Sequence, residues 1–461
     1  MTPFTSSTQV FDWISHYINV EKGHTSVLGA VRTRFTLDAM KTLAALADHP
    51  ETRTPVIHIA GSKGKGSVAA YSANMLEEAG FVCARYTSPH VTDWRERITL
   101  GNAFFDEAVY CDAGNELFSI TGRYTALTGA TAAPTFFELM TLYFFLCARR
   151  AQCDAMVVET GMGGRLDATN IVDPRVSAIT LIEKEHTEYL GNTLALIAGE
   201  KAGIIKPDRP LALAEQHKEA YDVFVETCAE KGSRLYYLPV CAHAEHIRVS
   251  HHGTSFSLAF NGLPAPLDVS VPTPGVIQAY NAALAVLAVT IAFPQVDGVS
   301  ITRGLAKSSL RSRFEKIWDD PVVVIDGAHT GASIAACADT WTALYGAGGV
   351  LLFGCAADKD AAAMASILFP RFSYIIITTP GTFKKSCPET VYAVFANLEK
   401  AEQKNAGKVR FMPETRSAIE QALSLGREKK APVLAAGSFY LAGEIASYTM
   451  RGEAHTRRTL V

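Results

Sequence analysis

The sequence predicts an α/β fold, with a doubly wound, mostly parallel-sheet domain followed by a smaller Rossmann-like α/β domain. Two observations support this prediction. Short apolar runs rich in β-branched residues alternate with longer helix-like stretches through most of the chain, as in parallel sheets whose two faces are covered by helices. The length of 461 residues also exceeds what one ordinary core organises, which favours two unequal domains.

The first domain begins its sheet with residues 55–60 (PVIHIA), a short β-branched run that is followed at once by glycine. Residues 66–80 then have helical character, whereas 154–160 and 176–182 are apolar runs of strand length. Residues 275–292 are rich in alanine and leucine without an internal breaker. We therefore predict one long packed helix there, ending at a Phe-Pro pair.

A second alternating series follows residue 297, and we place the domain boundary there, giving domains 1–297 and 298–461. Its predicted strands are 322–325 (VVVI), 350–353 (VLLF), 374–378 (YIIIT) and 433–436 (VLAA). Just before the boundary, residues 241–274 break the rhythm. Their alternation of apolar and polar residues predicts an antiparallel hairpin pair.

Composition excludes several classes of protein. The chain is 48% hydrophobic and 19% charged, which is typical of a globular protein, and its net charge of −3 gives no basic field for nucleic acid. The densest apolar stretch, residues 140–148, is too short to cross a bilayer, and no signal peptide precedes it, so we expect no membrane partner. Nine scattered cysteines without a CxxC pair favour a reducing cytoplasm.

A glycine-rich loop, GSKGKGS, follows the first predicted strand and opens a helix, which makes the first domain a P-loop domain. Glycines let the backbone amides turn onto a triphosphate, and the helix N-terminus adds favourable partial charge. Lys65 is expected to reach the outer phosphates and Ser67 to lie near Mg²⁺. The expected ATP contacts are Gly61, Ser62, Gly64, Lys65, Gly66 and Ser67. The loop is shorter than GxxxxGK[ST], which points away from kinases and GTPases.

This shorter loop resembles that of the Mur ligase superfamily, and further segments narrow the match. They are TSPH (87–90), ERI (96–98), TFFE (135–138), VETGMGGRLDATN (158–170), EHTEYLGNT (185–193), EKAGIIK (200–206), DGAH (326–329), FGCAADKD (353–360) and GSFYLAGE (437–444). Together, and in this order, they resemble the folylpolyglutamate synthase family, which includes the bifunctional dihydrofolate synthases.

The resemblance implies a metal site. Glu159 ends one predicted strand and His186 follows the next, so both belong at the crevice where open α/β sheets bind ligands. By resemblance, Mg²⁺ is held by Ser88, Glu159 and His186, with Ser67 near the metal on ATP, and two Mg²⁺ sites are expected. The family also carries a carbamylated lysine at the position of Lys201. A buried lysine with a depressed pKa can capture CO₂ in this way.

The resemblance also assigns residues around the junction of the two domains. Asn281, Arg313 and Asp326 match the nucleotide-contacting residues of the family, and His329 is our candidate for holding the incoming glutamate. Two departures from the family pattern lie beside them. The chain has LRSR where WPGR is common, with Ser312 in place of glycine, and Thr330 where asparagine is common after DGAH. These departures put the affinity at the domain interface in doubt.

For the carboxylate substrate, the resemblance assigns the pterin end. The matching residues are Thr135, Phe136, Phe137, Glu138, Leu166, Asp167 and Ala168. At least one of the two phenylalanines must belong to the core, because they begin an apolar helix. We expect Phe136 to point inward and Phe137 to stack on a flat heterocycle.

The function implied is an ATP-dependent ligase. ATP would phosphorylate the carboxylate of dihydropteroate or a reduced folate, and the amine of L-glutamate would attack the resulting acyl phosphate, releasing ADP and phosphate. Dihydrofolate synthase, folylpolyglutamate synthase or both activities remain open, and we expect a monomer. The alternatives are a cell-wall Mur ligase, a P-loop switch and a catalytically inactive scaffold. We expect too few residues before the phosphate loop for a UDP-sugar domain, and no NKxD guanine motif is present.

Overall fold

The computed structural model of the chain describes residues 3–19, 36–129, 133–261, 265–381, 384–402 and 407–458, with side chains to residue 449. Its strands form three sheets, of eight, three and six strands. The predicted α/β class, with a large and mostly parallel first sheet and a second parallel-rich sheet, is confirmed.

The helices and strands alternate along most of the chain. The strands are β1 Val56–Ala60, β2 Cys83–Tyr86, β3 Ile98–Leu100, β4 Ala103–Phe104, β5 Ala155–Glu159, β6 Val176–Ile179, β7 Leu211–Leu213, β8 Leu235–Tyr237, β9 Ala242–Ser250, β10 Gly253–Phe260, β11 Leu267–Val271, β12 Glu315–Asp319, β13 Val322–Ile325, β14 Val350–Phe353, β15 Tyr374–Ile377, β16 Val409–Phe411 and β17 Val433–Ala436. The α-helices are α1 Ser7–Ser15, α2 Asp38–Leu46, α3 Lys65–Glu78, α4 Glu107–Thr128, α5 Phe136–Arg150, α6 Thr187–Leu190, α7 Leu194–Ala202, α8 Lys218–Glu230, α9 Leu238–Cys241, α10 Val276–Ala292, α11 Gly298–Ala306, α12 Gly331–Tyr345, α13 Ala361–Leu368, α14 Pro388–Glu402, α15 Thr415–Lys429 and α16 Phe439–Arg458.

The eight-stranded sheet has the order β4-β3-β2-β5-β1-β6-β7-β8. β1 lies between β5 and β6 and runs parallel to both, whereas β3 and β4 form an antiparallel edge. All five residues of β1 are buried, because helices cover both faces of the sheet. This explains the unbroken apolar run in the sequence. The carboxyl ends of β1, β5 and β6 therefore meet at one edge.

Two helices pack closely on the helix that follows the phosphate loop. α3 is covered by α10, as its nearly continuous burial from Ser67 to Leu76 indicates. α11 approaches so closely that a Cβ added at Gly304 would lie 2.5 Å from Met75 Cα. α11 follows the predicted boundary at 297/298 and precedes the six-stranded sheet, and that boundary stays a prediction.

The helix α5 starts where the sequence motif TFFE begins. Thr135 is its N-cap and forms a capping box with Glu138, whose carboxylate accepts hydrogen bonds from the Thr135 amide at 2.7 Å and hydroxyl at 2.9 Å. Every residue from 139 to 148 is buried, as predicted for a core helix. Within the described residues, we find no helix with the length and apolarity needed to cross a membrane.

The segment that breaks the βα rhythm is a three-stranded antiparallel sheet of order β11-β10-β9, as predicted. Phe256, Leu258, Val269 and Val271 of this sheet join the core formed by α3 and α10. The small sheet therefore packs against α10 and extends the core of the first sheet.

The six-stranded sheet has the order β12-β13-β17-β14-β15-β16 and is parallel except for β12. The four predicted strands of this domain are all present. The sequence reading missed β12 and β16, which are the two edge strands. Both are short and partly exposed, so neither presents the apolar run that marks a buried strand.

Candidate active site

A cleft with a cavity volume of about 1410 Å³ runs between the carboxyl ends of the first sheet and the facing loops of the six-stranded sheet. Most of the predicted site residues line it. They are Ser62, Gly64, Lys65, Gly66, Ser67, Ser88, Thr135, Phe137, Glu138, Glu159, Leu166, Asp167, Ala168, His186, Asn281, Arg313, Asp326 and His329. Gly61, Phe136 and Lys201 lie behind this lining. The fold thus gathers residues separated by more than two hundred positions into one cleft.

Two glycines of the phosphate loop occupy positions that exclude a side chain. Gly61 has φ +144°, and a Cβ there would lie 1.8 Å from Thr180 Oγ1. Gly64 has φ +90°, and a Cβ there would lie 2.3 Å from Asn281 Oδ1. The left-handed backbone and these contacts both require glycine. Asn281, on α10, therefore lies directly over the phosphate loop.

Lys65 is the first residue of α3 and lies at the positive end of the helix dipole. Its Nζ donates a hydrogen bond to Gly61 O at 3.0 Å, so the side chain folds back across its own loop. No core contact depends on this ammonium group. It is therefore free to turn toward a phosphate without disturbing the packing of the helix.

The expected magnesium ligands lie beside this loop. Glu159 is 4% exposed and accepts a hydrogen bond from Ser88 N at 3.3 Å, and its Oε2 lies 3.5 Å from the position of a Cβ on Gly66. Burial raises the pKa of Glu159, and Lys65 acts against this shift. The Ser67 hydroxyl is buried and makes no hydrogen bond within the described part of the chain. A buried carboxylate and an unpaired hydroxyl beside a phosphate loop fit Mg²⁺, which prefers oxygen donors.

His186 lies further along the same edge, at the N-cap of α6, with φ +48°. Burial lowers its pKa to about 4, so its ring is neutral at pH 7, as a metal ligand must be. In the ranges that the structure covers, no three His, Cys, Asp or Glu side chains converge as a metal cluster. The expected set instead combines one carboxylate and one imidazole with two serine hydroxyls.

Lys201 is 1% exposed, at the end of α7. Its Nζ donates to Gly61 O at 2.8 Å and to Glu185 Oε1 at 3.0 Å, and Lys63 Nζ lies 3.6 Å from Glu185 Oε2. Burial lowers the pKa of Lys201 to about 8, against the raising effect of Glu185. Burial acts to raise the pKa of Glu185, but the lysines around it, Lys201 first, bring it below its usual value. The sequence reading did not single out Glu185 or Lys63.

Arg313 lies in the loop that precedes β12 of the six-stranded sheet, and its side chain reaches the phosphate loop. Its guanidinium lies 4.4 Å over the Phe439 ring, and its Nη2 is 3.8 Å from the position of a Cβ on Gly66. Asp326 fixes the turn that carries it, because the carboxylate accepts hydrogen bonds from Phe314 N at 2.8 Å and Ala328 N at 2.7 Å. Arg313 thus lies where the six-stranded sheet faces the eight-stranded sheet.

His329 has a defined tautomer. Its Nδ1 lies 2.7 Å from Gly327 O, and a carbonyl can only accept, so Nδ1 carries the proton and Nε2 is an acceptor. Burial, followed by nearby Lys63, lowers its pKa to about 3. The ring is therefore neutral at pH 7. Lys359, which also lines the cleft, lies close enough to add to this effect.

The two departures from the family pattern have different structural consequences. Thr330 is the N-cap of α12, and its hydroxyl accepts a hydrogen bond from Ser333 N at 3.4 Å. Asparagine and threonine both cap helices, so this change is conservative. Ser312 is fully buried with φ +52°, and its hydroxyl has no partner in the described ranges. Serine there carries backbone strain that glycine would avoid.

We predict that Ser312→Gly stabilises the protein by about 1 kcal/mol. The substitution removes left-handed strain and an unpaired buried hydroxyl, partly offset by the greater entropy of glycine in the unfolded chain. Urea unfolding of both proteins measures the difference. Ser366→Gly, on α13 away from the left-handed region, is the control and should destabilise by roughly 0.5–1 kcal/mol. Loss of stability in Ser312→Gly contradicts the strain assignment.

The predicted pterin-end residues form the opposite part of the cleft. Phe136 is 2% exposed and packs in the core, so it does not line the cleft. Phe137 lines it and packs against Gly161, where a Cβ would lie 2.5 Å from the ring. Asp167 accepts four internal hydrogen bonds, from the Gly161, Met162 and Thr169 amides and the Thr169 hydroxyl. A direct bond from Asp167 to a ligand would require one of these to open.

Comparison with known proteins identifies the family. The Mur ligase middle domain matches residues 59–289, and the Mur ligase glutamate ligase domain matches residues 312–439. The folylpolyglutamate synthase of Lacticaseibacillus casei is 30% identical over 420 residues, which are 89% of this chain and 94% of that protein. A probable bifunctional folylpolyglutamate synthase/dihydropteroate synthase of Halobacterium salinarum is 32% identical over 90% of this chain, which spans about half (49%) of that relative.

Solved structures extend the match to the whole fold. Mycobacterium tuberculosis folylpolyglutamate synthase, complexed with ADP and AMPPCP, superposes with a TM-score of 0.81 at 29% identity, covering 90% of this chain and 95% of that one. A folylpolyglutamate synthase complex with AMPPCP and folate superposes with a TM-score of 0.79 at 27% identity, covering 96% and 98%. This chain therefore belongs to the folylpolyglutamate synthase/dihydrofolate synthase family of the Mur ligases.

Proposed function

We propose that this chain uses ATP to join L-glutamate to the carboxylate of dihydropteroate, of a reduced folate, or of both. The observation that supports this most is the position of Arg313, whose Nη2 lies 3.8 Å from the Cβ position of Gly66 in the phosphate loop. The Arg313 guanidinium, from the loop before the six-stranded sheet, thus faces the same phosphate site as Lys65. The Lacticaseibacillus casei folylpolyglutamate synthase matches over 94% of its length, and a folylpolyglutamate synthase complex with AMPPCP and folate is among the structural neighbours.

In the first step, an oxygen of the substrate carboxylate forms a bond to the γ-phosphorus of ATP. The bond from that phosphorus to the β-bridging oxygen breaks, ADP leaves and an acyl phosphate results. Lys65, the amides at the start of α3 and Arg313 neutralise charge that spreads over the transferred group. No nucleophilic side chain is needed, so catalysis consists of positioning and charge stabilisation.

In the second step, the glutamate amine attacks the acyl carbon, and the bond from that carbon to the phosphate oxygen breaks. Phosphate leaves with its oxygen, and the amine loses a proton. His329 is suited to hold the incoming amine, because its Nε2 is an acceptor on the cleft wall. Its low pKa makes it a positioning acceptor rather than a strong base.

The carboxylate, the hydroxyls and the imidazole beside the loop would hold Mg²⁺ on the nucleotide, and we propose two sites, drawing on Ser67, Ser88, Glu159 and His186. When bound, Mg²⁺ neutralises phosphate charge. The unpaired Ser67 hydroxyl and the buried Glu159 carboxylate support this proposal. The proposed domains remain 1–297 and 298–461, and the proposed state is a monomer in the cytoplasm. Nine free cysteine thiols are consistent with a reducing compartment.

We predict that Lys201 is carbamylated in the active enzyme. Burial lowers its pKa to about 8, so more of the amine is neutral at pH 7 than in an ordinary lysine. CO₂ reacts with the neutral amine, and the product would carry negative charge beside Glu185. Enzyme prepared with ¹³C-bicarbonate and Mg²⁺ should show a carbamate ¹³C signal that is absent in Lys201→Ala. Absence of this signal in enzyme that ligates glutamate contradicts the prediction.

The activity is tested with radiolabelled glutamate, ATP and a panel of pteridine acids. ADP release should depend on both glutamate and a pteridine acid, and the label should enter the pteridine product. Dihydropteroate and tetrahydrofolate are the two decisive members of the panel, because they separate the two activities. ATP hydrolysis that ignores either substrate would support the P-loop switch, and the absence of turnover would support the inactive scaffold.

A further inference from the structure

A buried chain of hydrogen bonds leads from the centre of the first sheet to the glycine-rich segment after β5. His58, in the middle of β1, is 0% exposed, and its Nε2 lies 2.9 Å from Thr169 Oγ1. The Thr169 hydroxyl donates its one proton to Asp167 Oδ1 at 2.6 Å. It must therefore accept from His58, which fixes the proton of the imidazole on Nε2.

Asp167 connects Thr169 to the backbone that forms the wall of the cleft. Its carboxylate also accepts from the amides of Gly161 at 2.9 Å and Met162 at 3.0 Å, which holds the segment after β5 in place. A Cβ on Gly161 would lie 2.5 Å from Phe137 Cζ, so this backbone packs directly against the ring. A shift of Asp167 is therefore transmitted to the aromatic wall of the cleft.

His58 is neutral, because complete burial and then the nearby charge of Lys206 lower its pKa to about 3. A neutral ring with the proton on Nε2 gives Thr169 a single hydrogen-bond donor. An apolar side chain at position 58 would fill the same space, but it would leave the Thr169 hydroxyl without a donor in a buried site. Such a lost bond in the interior is costly.

We infer that His58 is a positioning residue for the pteridine end of the cleft, acting through Thr169 and Asp167 on the backbone that faces Phe137. This inference rests on the proposed function, because it assigns the pteridine to that wall. Position along the chain suggests a different role. His58 precedes Gly61 by three residues on the strand that enters the phosphate loop, so simple proximity predicts an effect on ATP. The hydrogen bonds of His58 and Thr169 instead lead to the wall that is assigned to the pteridine.

The test compares His58→Leu with His58→Gln and Thr169→Val. Leucine removes the donor, whereas the glutamine amide retains an N–H that can reach Thr169. Calorimetry measures the dissociation constants of dihydropteroate and of AMPPCP. His58→Leu should weaken dihydropteroate binding by about tenfold, within the range for residues that act on a site without touching its ligand, and change AMPPCP binding by less than about twofold. His58→Gln should restore most of the affinity, and Thr169→Val should resemble His58→Leu.

A second readout needs no ligand. Hydrogen exchange at the Gly161 and Met162 amides should speed up in His58→Leu by more than at other buried amides of the first sheet, which report the general loss of stability. It should return to wild-type rates in His58→Gln. A wild-type protein that binds tetrahydrofolate but not dihydropteroate is tested with tetrahydrofolate in its place. If wild-type protein binds neither, the proposed function fails and the exchange rates alone decide the role of His58. If His58→Leu does not fold, Thr169→Val removes this bond, together with the bond from the Thr169 hydroxyl to Asp167, with almost no change of volume. Equal losses for both ligands, failure of glutamine to rescue, or unchanged exchange overturns the inference.

Discussion

Replacing Lys65 by alanine should lower ligation by at least about 10³-fold while the fold remains intact, because one cation on a transferring phosphoryl group contributes effects of this size. The Lys65 ammonium makes its hydrogen bond to the Gly61 carbonyl and contributes to no core. Its loss should therefore leave the melting temperature nearly unchanged. Turnover by the radiolabelled glutamate assay and a thermal melt measure the two effects.

A matched control for Lys65 is Lys316→Ala. Lys316 is exposed on β12 and pairs only locally with Asp319, at 2.8 Å. Its removal should leave both turnover and stability close to wild type, which excludes a general effect of losing a lysine. Near-normal ligation by Lys65→Ala with a native melting curve would remove the phosphate loop from the mechanism.

Arg313→Ala should impair the chemical step by roughly 2–4 kcal/mol, or about 30- to 1000-fold, by analogy with the loss of one preorganised donor. Arg313 precedes β12 of the six-stranded sheet and reaches the phosphate loop that follows β1 of the eight-stranded sheet. The chemical step therefore requires the parts of the protein built on these two sheets to close on one nucleotide. Dihydropteroate or folate affinity, measured without turnover, should change little, because the predicted pterin-end residues lie on α5 and on the segment after β5. Single-turnover kinetics and equilibrium binding separate these quantities.

The control for Arg313 is its neighbour Arg311. Its Nε lies 3.1 Å from Glu315 Oε1, in an ion pair with a residue of β12 four positions along the chain. Arg311→Ala should therefore retain turnover. Equal losses of pteridine affinity and turnover in Arg313→Ala would refute this division of labour, and normal turnover would make Arg311 the next candidate.

The sequence predicted the parts of the fold in which local pattern and burial agree. β1, the phosphate loop and α3 follow from a short apolar run, a glycine-rich loop directly after it and a stretch of helical character. β12 and β16 escaped prediction because edge strands bury only part of their surface. A short strand whose exposed residues are polar lacks the apolar run by which the buried strands were recognised.

The sequence predicted the site residues that lie at strand ends, but it did not predict the buried contacts between side chains behind them. Glu159 and Lys65 follow from strand ends and a glycine-rich loop, but Glu185 does not. It lies in a loop, and its pairing with Lys201 and Lys63 arises only when α7 packs behind the phosphate loop. A carboxylate next to His186 was the one available signal. The hydrogen bonds of Asp167 are local, but they form only when the segment from Gly161 to Thr169 folds back on itself.

The acyl-phosphate mechanism is tested most directly by following oxygen from the substrate carboxylate. Dihydropteroate or a reduced folate labelled with ¹⁸O in its carboxylate is incubated with enzyme, ATP, Mg²⁺ and L-glutamate, and the released phosphate is analysed by mass spectrometry. Attack of the amine on an acyl phosphate leaves one carboxylate oxygen on phosphorus, so one ¹⁸O should appear in phosphate for each glutamate joined. Phosphate that carries no ¹⁸O, while glutamate is joined, would contradict the account.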